Sequence, residues 1–185
     1  MTLQLPSDLF EAESNILFSL EKSLEESQSI RLSINLNFEG LRILPIALRL
    51  AKSLNDLKIS SYLVFSDAGT TALAKREAPY LIDQIFSFNQ LLETSKILDP
   101  DILLVCVSPQ YFDYKDFEAL CNKHVGKIAM LNGKLEEPSV GIGTVARDRR
   151  KGLLSIWDNI FWLEPLKDGA LMRAYPSNWN LYKSF

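Results

Sequence analysis

The chain has 185 residues, 47% hydrophobic and 23% charged, with a formal net charge of −3 at pH 7. That length and composition describe one ordinary globular domain with its own core, not a disordered chain. The charge balance excludes a global attraction to nucleic acid or to an anionic membrane, so any such contact needs a local patch.

Pro6-Ser7-Asp8 opens a first helix, predicted over 8–27. Asp8 is placed to cap it, with Glu11 three positions on, an Asp variant of the capping box. Phe10, Ile16, Leu17, Leu20 and Leu24 fall on one broad face, and Ser19, Glu21, Lys22 and Glu25 are expected to stay wet. The opening MTLQLPSDLFEAE has neither a basic start nor a long apolar run, so it does not read as a secretory signal. Its acidic residues argue against an organelle transit peptide.

Ile30, Leu32, Ile34 and Leu36 alternate with Arg31, Ser33, Asn35 and Asn37, the period of a strand with one wet or polar-facing side. Gly40 ends it, and 41–55 predicts a second helix with Pro45 in its first turn. Ile59 to Phe65 is a nearly continuous apolar run, as expected for a strand covered on both faces. Ser66 to Thr71 then turns into a helix that runs to about Glu77. Ile82 to Phe88 predicts a short strand and 90–98 a helical turn.

Ile102 to Val107 is the clearest buried strand, with Cys106 as a small hydrophobe within it. The chain's other cysteine, Cys121, has no metal-type spacing to it, and a reducing compartment fits the pair. Residues 113–124 predict a helix with Phe117, Leu120 and Cys121 inward. His124, the only histidine, ends this helix, where it suits a dipole partner better than a general base. Lys127 to Leu131 is the next strand, ended by Asn132-Gly133.

This alternation predicts a single three-layer, Rossmann-like α/β domain over 1–185 with a mostly parallel central sheet. Ile160 to Leu163 and Ala170 to Ala174 read as an antiparallel C-terminal hairpin added to it, and YPSNWNLYKSF as a turn and a short aromatic helix. No apolar run reaches the roughly 18–20 residues that a spanning helix needs.

In a parallel sheet the strand ends at Asp67 to Thr71, Ser108-Pro109 and Asn132-Gly133 meet at one edge, where ligands of open α/β sheets bind. Asp67, Gly69 and Thr70 could cradle an anion with backbone N–H groups, or Asp67 could simply cap the helix. Ser108 and Asn132 are candidates by position at the same edge. Between Lys127 and Gly152, Gly141-Ile142-Gly143 is a fragment of a glycine-rich motif, with Ala146 where a dinucleotide fingerprint has its third glycine. A long loop separates it from the preceding strand and no P-loop exists, so neither a cofactor nor a metal is expected. Arg147, Arg150 and Lys151 share a helical face, either solvated or meeting an anion or an acidic partner. Arg147 stands in the first turn or so of that helix, where a cation opposes the helix dipole and calls for a compensating anion. Trp157, Phe161, Trp162, Tyr175, Trp179, Tyr182 and Phe185 crowd the C-terminal quarter, as core or as interface anchors.

FSDAGTTALAKR at 65–76, VSP at 107–109, MLNGKLE at 130–136, VGIGTVARDRR at 140–150 and LKDGALMRAYPSNW at 166–179 carry a resemblance. With the N-terminal LPSDLFEAE, they resemble an uncharacterised domain family of cyanobacteria and plastids. Its plastid members include the low photosystem II accumulation proteins, and in plants the domain also follows an adenylate kinase domain. The resemblance implies a protein of the cyanobacterial cytoplasm or plastid stroma, peripheral to thylakoids. It implies a non-enzymatic part in assembling photosystem II, with a photosystem subunit or the thylakoid surface as partner. It supplies no catalytic residues. The alternative expectation is a small-ligand or phosphate-binding protein, possibly an enzyme, using the carboxyl edge of the sheet.

Overall fold

The structure, a computed structural model, describes residues 4–136 and 151–183. Its centre is an eight-stranded sheet in the order β3-β2-β4-β5-β1-β6-β7-β8. The strands are β1 (Arg31–Leu36), β2 (Ser61–Phe65), β3 (Ile85–Ser87), β4 (Leu103–Val107), β5 (Ile128–Leu131), β6 (Asp158–Leu166), β7 (Gly169–Ala174) and β8 (Asn180–Lys183). From β3 to β6 every pairing is parallel, whereas β7 and β8 add in antiparallel fashion.

Alternation along the strands divides the core into two layers. Leu32, Ile34, Leu63, Val105, Ala129 and Leu131 face α1 (Leu9–Glu26), α2 (Ile43–Asp56) and α3 (Ala68–Glu77). Val64, Leu104, Cys106, Ile128 and Met130 face α4 (Phe88–Leu92), α5 (Tyr114–Lys123) and the helical residues 151–155. This is the three-layer α/β architecture that the alternation of elements predicts. Among the described residues no helix is long and apolar enough to cross a membrane.

Local chemistry sets several boundaries. Asp8 Oδ1 accepts the Glu11 N–H at 2.8 Å and so caps α1. The Glu11 carboxylate turns back not to Asp8 but to Ser7, whose N–H and hydroxyl reach it at 2.6 and 2.7 Å. Pro79 begins a 3-10 turn over Pro79–Gln84, so the strand expected from Ile82 shrinks to β3. Ser87 and Gln90 form a reciprocal capping box and turn the chain at once into α4.

Four expectations are corrected or refined. All six residues of β1 are buried, including Arg31, Ser33 and Asn35. The side expected to be wet or polar-facing is polar but covered, since α5 and its C-terminal turn lie over Arg31. Ser19, expected to be wet, is fully buried on α1, and so is Ser23. The terminal aromatic stretch forms no helix among its described residues, which end at Lys183. It forms β8, because the free edge of β7 offers a ladder of backbone partners to Asn180–Lys183. β6 is also longer than predicted, and it joins β1 in parallel, with a register shift at Ser33/Ile34, before turning into β7.

Two stability predictions follow from the core. Val105 is 1% exposed and pairs with Leu63 on one side and Ala129 on the other. Val105→Asp buries an unpaired charge and should cost about 4 kcal/mol or more, seen as loss of the cooperative melting transition. The Ser19 hydroxyl is buried with no hydrogen-bond partner. Ser19→Ala should therefore raise the melting temperature, with a gain of about 1 kcal/mol. A lower melting temperature would show that the hydroxyl has a partner in solution.

Candidate functional site

β2, β4 and β5 lie side by side in parallel, so Asp67, Ser108 and Asn132 do gather at one carboxyl edge. Between β2 and β4 the chain switches layers. β2 leaves through α3 on one face, and β4 leaves through α5 on the other. That is the position at which open α/β sheets form a ligand crevice.

At this edge the polar groups are engaged by the domain's own backbone. Asp67 Oδ1 accepts the Thr70 N–H at 2.7 Å, and Thr71 Oγ1 donates to the Asp67 carbonyl at 2.6 Å. The Thr70 N–H holds the Asp67 carboxyl below the usual carboxylate range. Gly69 sits against the same carboxylate, where a Cβ would approach Asp67 Oδ1 to 3.1 Å. Asp67 thus acts as the cap of α3, and Thr70 supplies the capped N–H.

Ser108 leaves β4 with φ 49°, in the left-handed region. Its N–H donates to Leu131 at 2.7 Å, which prolongs the β4–β5 ladder beyond the strands. Gln110 Nε2 folds back to the Ser108 carbonyl at 2.8 Å and to its hydroxyl at 3.1 Å. Asn132, with φ 52°, does for β1 what Ser108 does for β5. Its Oδ1 accepts the Leu36 N–H at 2.7 Å and its Nδ2 donates to the Leu36 carbonyl at 2.9 Å. The carboxamide therefore imitates one more strand residue and seals the β5–β1 junction. Lys134 N–H closes on the Pro109 carbonyl at 2.8 Å. Gly141, Gly143, Arg147 and Arg150 lie outside the described residues.

Apolar rings stand exposed on the same edge. Phe38, just beyond β1, is 39% exposed. Phe112, beyond β4, is 70% exposed, with the Tyr111 ring edge-on to it at 5.2 Å. Sequence patterning passes over these rings, because they follow the strands and belong to no periodic face. The described pockets lie between α1 and α2 and toward the amino ends of the strands.

The remaining reactive side chains serve the core. His124 is 1% exposed, and its two ring nitrogens lie 2.7 Å from the Ile97 carbonyl and 3.1 Å from that of Ile102. Burial pushes the Cys106 thiol well up and that of Cys121 to about 12, so neither is a thiolate at neutral pH. Among the described residues no group of His, Cys, Asp and Glu could hold a metal ion.

The model of a family described as a domain of unknown function, DUF1995, matches residues 6–184. The chain belongs to the DUF1995 family. No curated protein matches it. The match spans all eight strands, β7 and β8 included.

The cap at Asp67 gives a pH-dependent prediction. A carboxyl held below its ordinary range contributes stability above that range and loses it as pH falls through the folded value. Asp67→Ala should therefore cost about 1 kcal/mol at neutral pH, and the difference from wild type should vanish in acid. Thermal melts of both proteins from neutral pH down past the folded value of the Asp67 carboxyl, to pH about 2 or lower, check this linkage. A gap that persists in acid would assign the loss to something other than the carboxylate.

Proposed function

We propose that this DUF1995 domain is a non-enzymatic accessory protein that assists assembly or maintenance of photosynthetic complexes, photosystem II in particular. In this reading it holds a protein partner against the carboxyl edge of its sheet. The observation that carries it is the division of labour at that edge. Asp67, Ser108 and Asn132 are engaged in backbone hydrogen bonds, while Phe38, Tyr111 and Phe112 stand out in solvent.

A catalyst needs polar groups free to meet a reacting atom. A protein interface needs aromatic anchors that lose water on contact. At the described part of this edge the aromatic rings are open, while Asp67 and Asn132 are already committed to backbone hydrogen bonds. The photosynthetic setting rests on the resemblance of FSDAGTTALAKR, VGIGTVARDRR and LKDGALMRAYPSNW to the low photosystem II accumulation proteins. With it comes a place in the cyanobacterial cytoplasm or the plastid stroma, at the thylakoid surface. The competing reading, a phosphate or small-ligand site, would draw on Arg147 and Arg150 together with Asp67 and Asn132. The hydrogen bonds already made by the last two weigh against it.

Affinity capture from a photosynthetic membrane extract tests the proposal, with wild type compared with Phe112→Ser. Wild type should enrich a photosystem II subunit. The variant should capture about tenfold less or lower still, as for loss of an aromatic anchor, with an unchanged melting temperature. Equal capture by both proteins, or no photosystem subunit with either, would overturn it.

A further inference from the structure

On the outer half of the sheet α1 dresses one face, and the other carries a cluster of two tryptophans and an arginine. α1 packs on β6 and β7 from the side that carries Phe161, Leu163, Met172 and Ala174. The other side presents Trp162 and Arg173, directly paired across β6 and β7, with Trp179 beside them. The two indole rings meet at 5.8 Å between centroids, inclined by 58°. The Arg173 guanidinium carbon stands 5.9 Å over the Trp179 ring, and Trp179 is still 43% exposed.

The polar groups around the rings are only partly engaged. Arg173 Nη2 donates to Asp158 Oδ1 at a long 3.3 Å. Its Nε is buried with no acceptor, which normally costs about 1–3 kcal/mol and calls for an explanation. Glu164 Oε2 accepts the Trp162 indole N–H at 3.0 Å. Asn159 Oδ1 takes a weak bond from Asn35 Nδ2 at 3.4 Å. Trp179 thus offers open ring surface beside the half-buried Arg173 and Asp158, whose terminal donors and acceptors have capacity left.

Charge narrows the class of ligand. Arg173 is offset by Asp158, and Glu164 adds a second carboxylate on the same face, so a free anion such as phosphate gains nothing here. A purely apolar group would cover the rings but strand the guanidinium and the carboxylates. A sugar ring suits both parts. Its C–H face can lie on an indole, and each hydroxyl both donates and accepts. We propose that the Trp162–Arg173–Trp179 face binds a saccharide. Trp179 is the stacking platform, and Arg173 and Asp158 read neighbouring hydroxyls. This site lies on the antiparallel side of the sheet and does not depend on the partner surface at the carboxyl edge.

Saturation-transfer NMR on the full chain, with maltose, cellobiose and lactose as probes, tests it. At least one of these sugars should receive saturation on its ring C–H protons. Trp179→Ala, at an exposed position, should abolish the transfer with no change in melting temperature. Arg173→Met should raise the Kd about tenfold or more, as expected for losing a charged hydrogen-bond donor. Should Arg173→Met fail to fold, Arg173→Lys replaces it and should weaken binding for lack of the planar fork. No transfer to any of the sugars at millimolar concentration would overturn the proposal. So would a signal that survives the Trp179 and Arg173 variants, or competition by inorganic phosphate, which would mark an anion site.

Discussion

The guanidinium of Arg31 ties the amino end of the sheet together. It donates to the carbonyls of Cys121 at 2.7 Å, His124 at 3.1 Å and Gly126 at 3.0 Å. These are the unpaired carbonyls at the end of α5 and in the turn that follows. A cation there also meets the negative end of the helix dipole. Lys127 repeats the device at α1, where its ammonium donates to the carbonyls of Ser23, Leu24 and Ser27 at 3.0 to 3.1 Å. Arg31 opens β1 and Lys127 stands just before the neighbouring β5, and each closes one helical layer. His124 completes the turn by meeting two carbonyls, while Gly126 fits beneath Pro100, where a side chain would collide with its carbonyl. With the amino edge fastened in this way, the carboxyl edge and the Trp162–Arg173–Trp179 face are the two surfaces proposed to meet other molecules.

Much of this architecture is legible in the sequence because burial and period coincide there. The apolar runs of β2, β4 and β5 are covered on both faces, and continuous hydrophobicity is what such strands require. The turn chemistry is legible too, since Asp67 before Gly69 and Thr70 has the type and spacing of a cap. Long-range partnership is not. Alternation in β1 reveals a polar side, but nothing local tells that α5, about ninety residues later, will bring carbonyls to Arg31. Asn132 reads as a turn residue, and its role as a surrogate strand residue depends on Leu36, 96 positions away. β8 shows the same limit at the other end of the chain, where four residues of weak alternation become a strand only because β7 has an unpaired edge.

The two candidate surfaces differ in what holds them. Phe112 and Tyr111 ride on the 3-10 turn Tyr111–Asp113, fixed by Gln110 N–H to Asp113 at 2.8 Å and by the closure of Lys134 on Pro109. They are loop residues on a rigid scaffold, the arrangement in which variable recognition is common. Trp162 and Arg173 instead project from paired strands, whose spacing is set by the backbone ladder. A surface of the first kind adapts to a partner. One of the second kind selects a ligand by shape.

Burial of both thiols gives the domain a built-in clock. Cys106 lies within β4 and Cys121 within α5, and their raised pKa values keep them protonated while the fold is closed. Neither can be reached by a thiol reagent without lifting α5 from the sheet, so the modification rate measures how often that layer opens. The same burial means that an oxidant in solution would meet these thiols chiefly in molecules already coming apart.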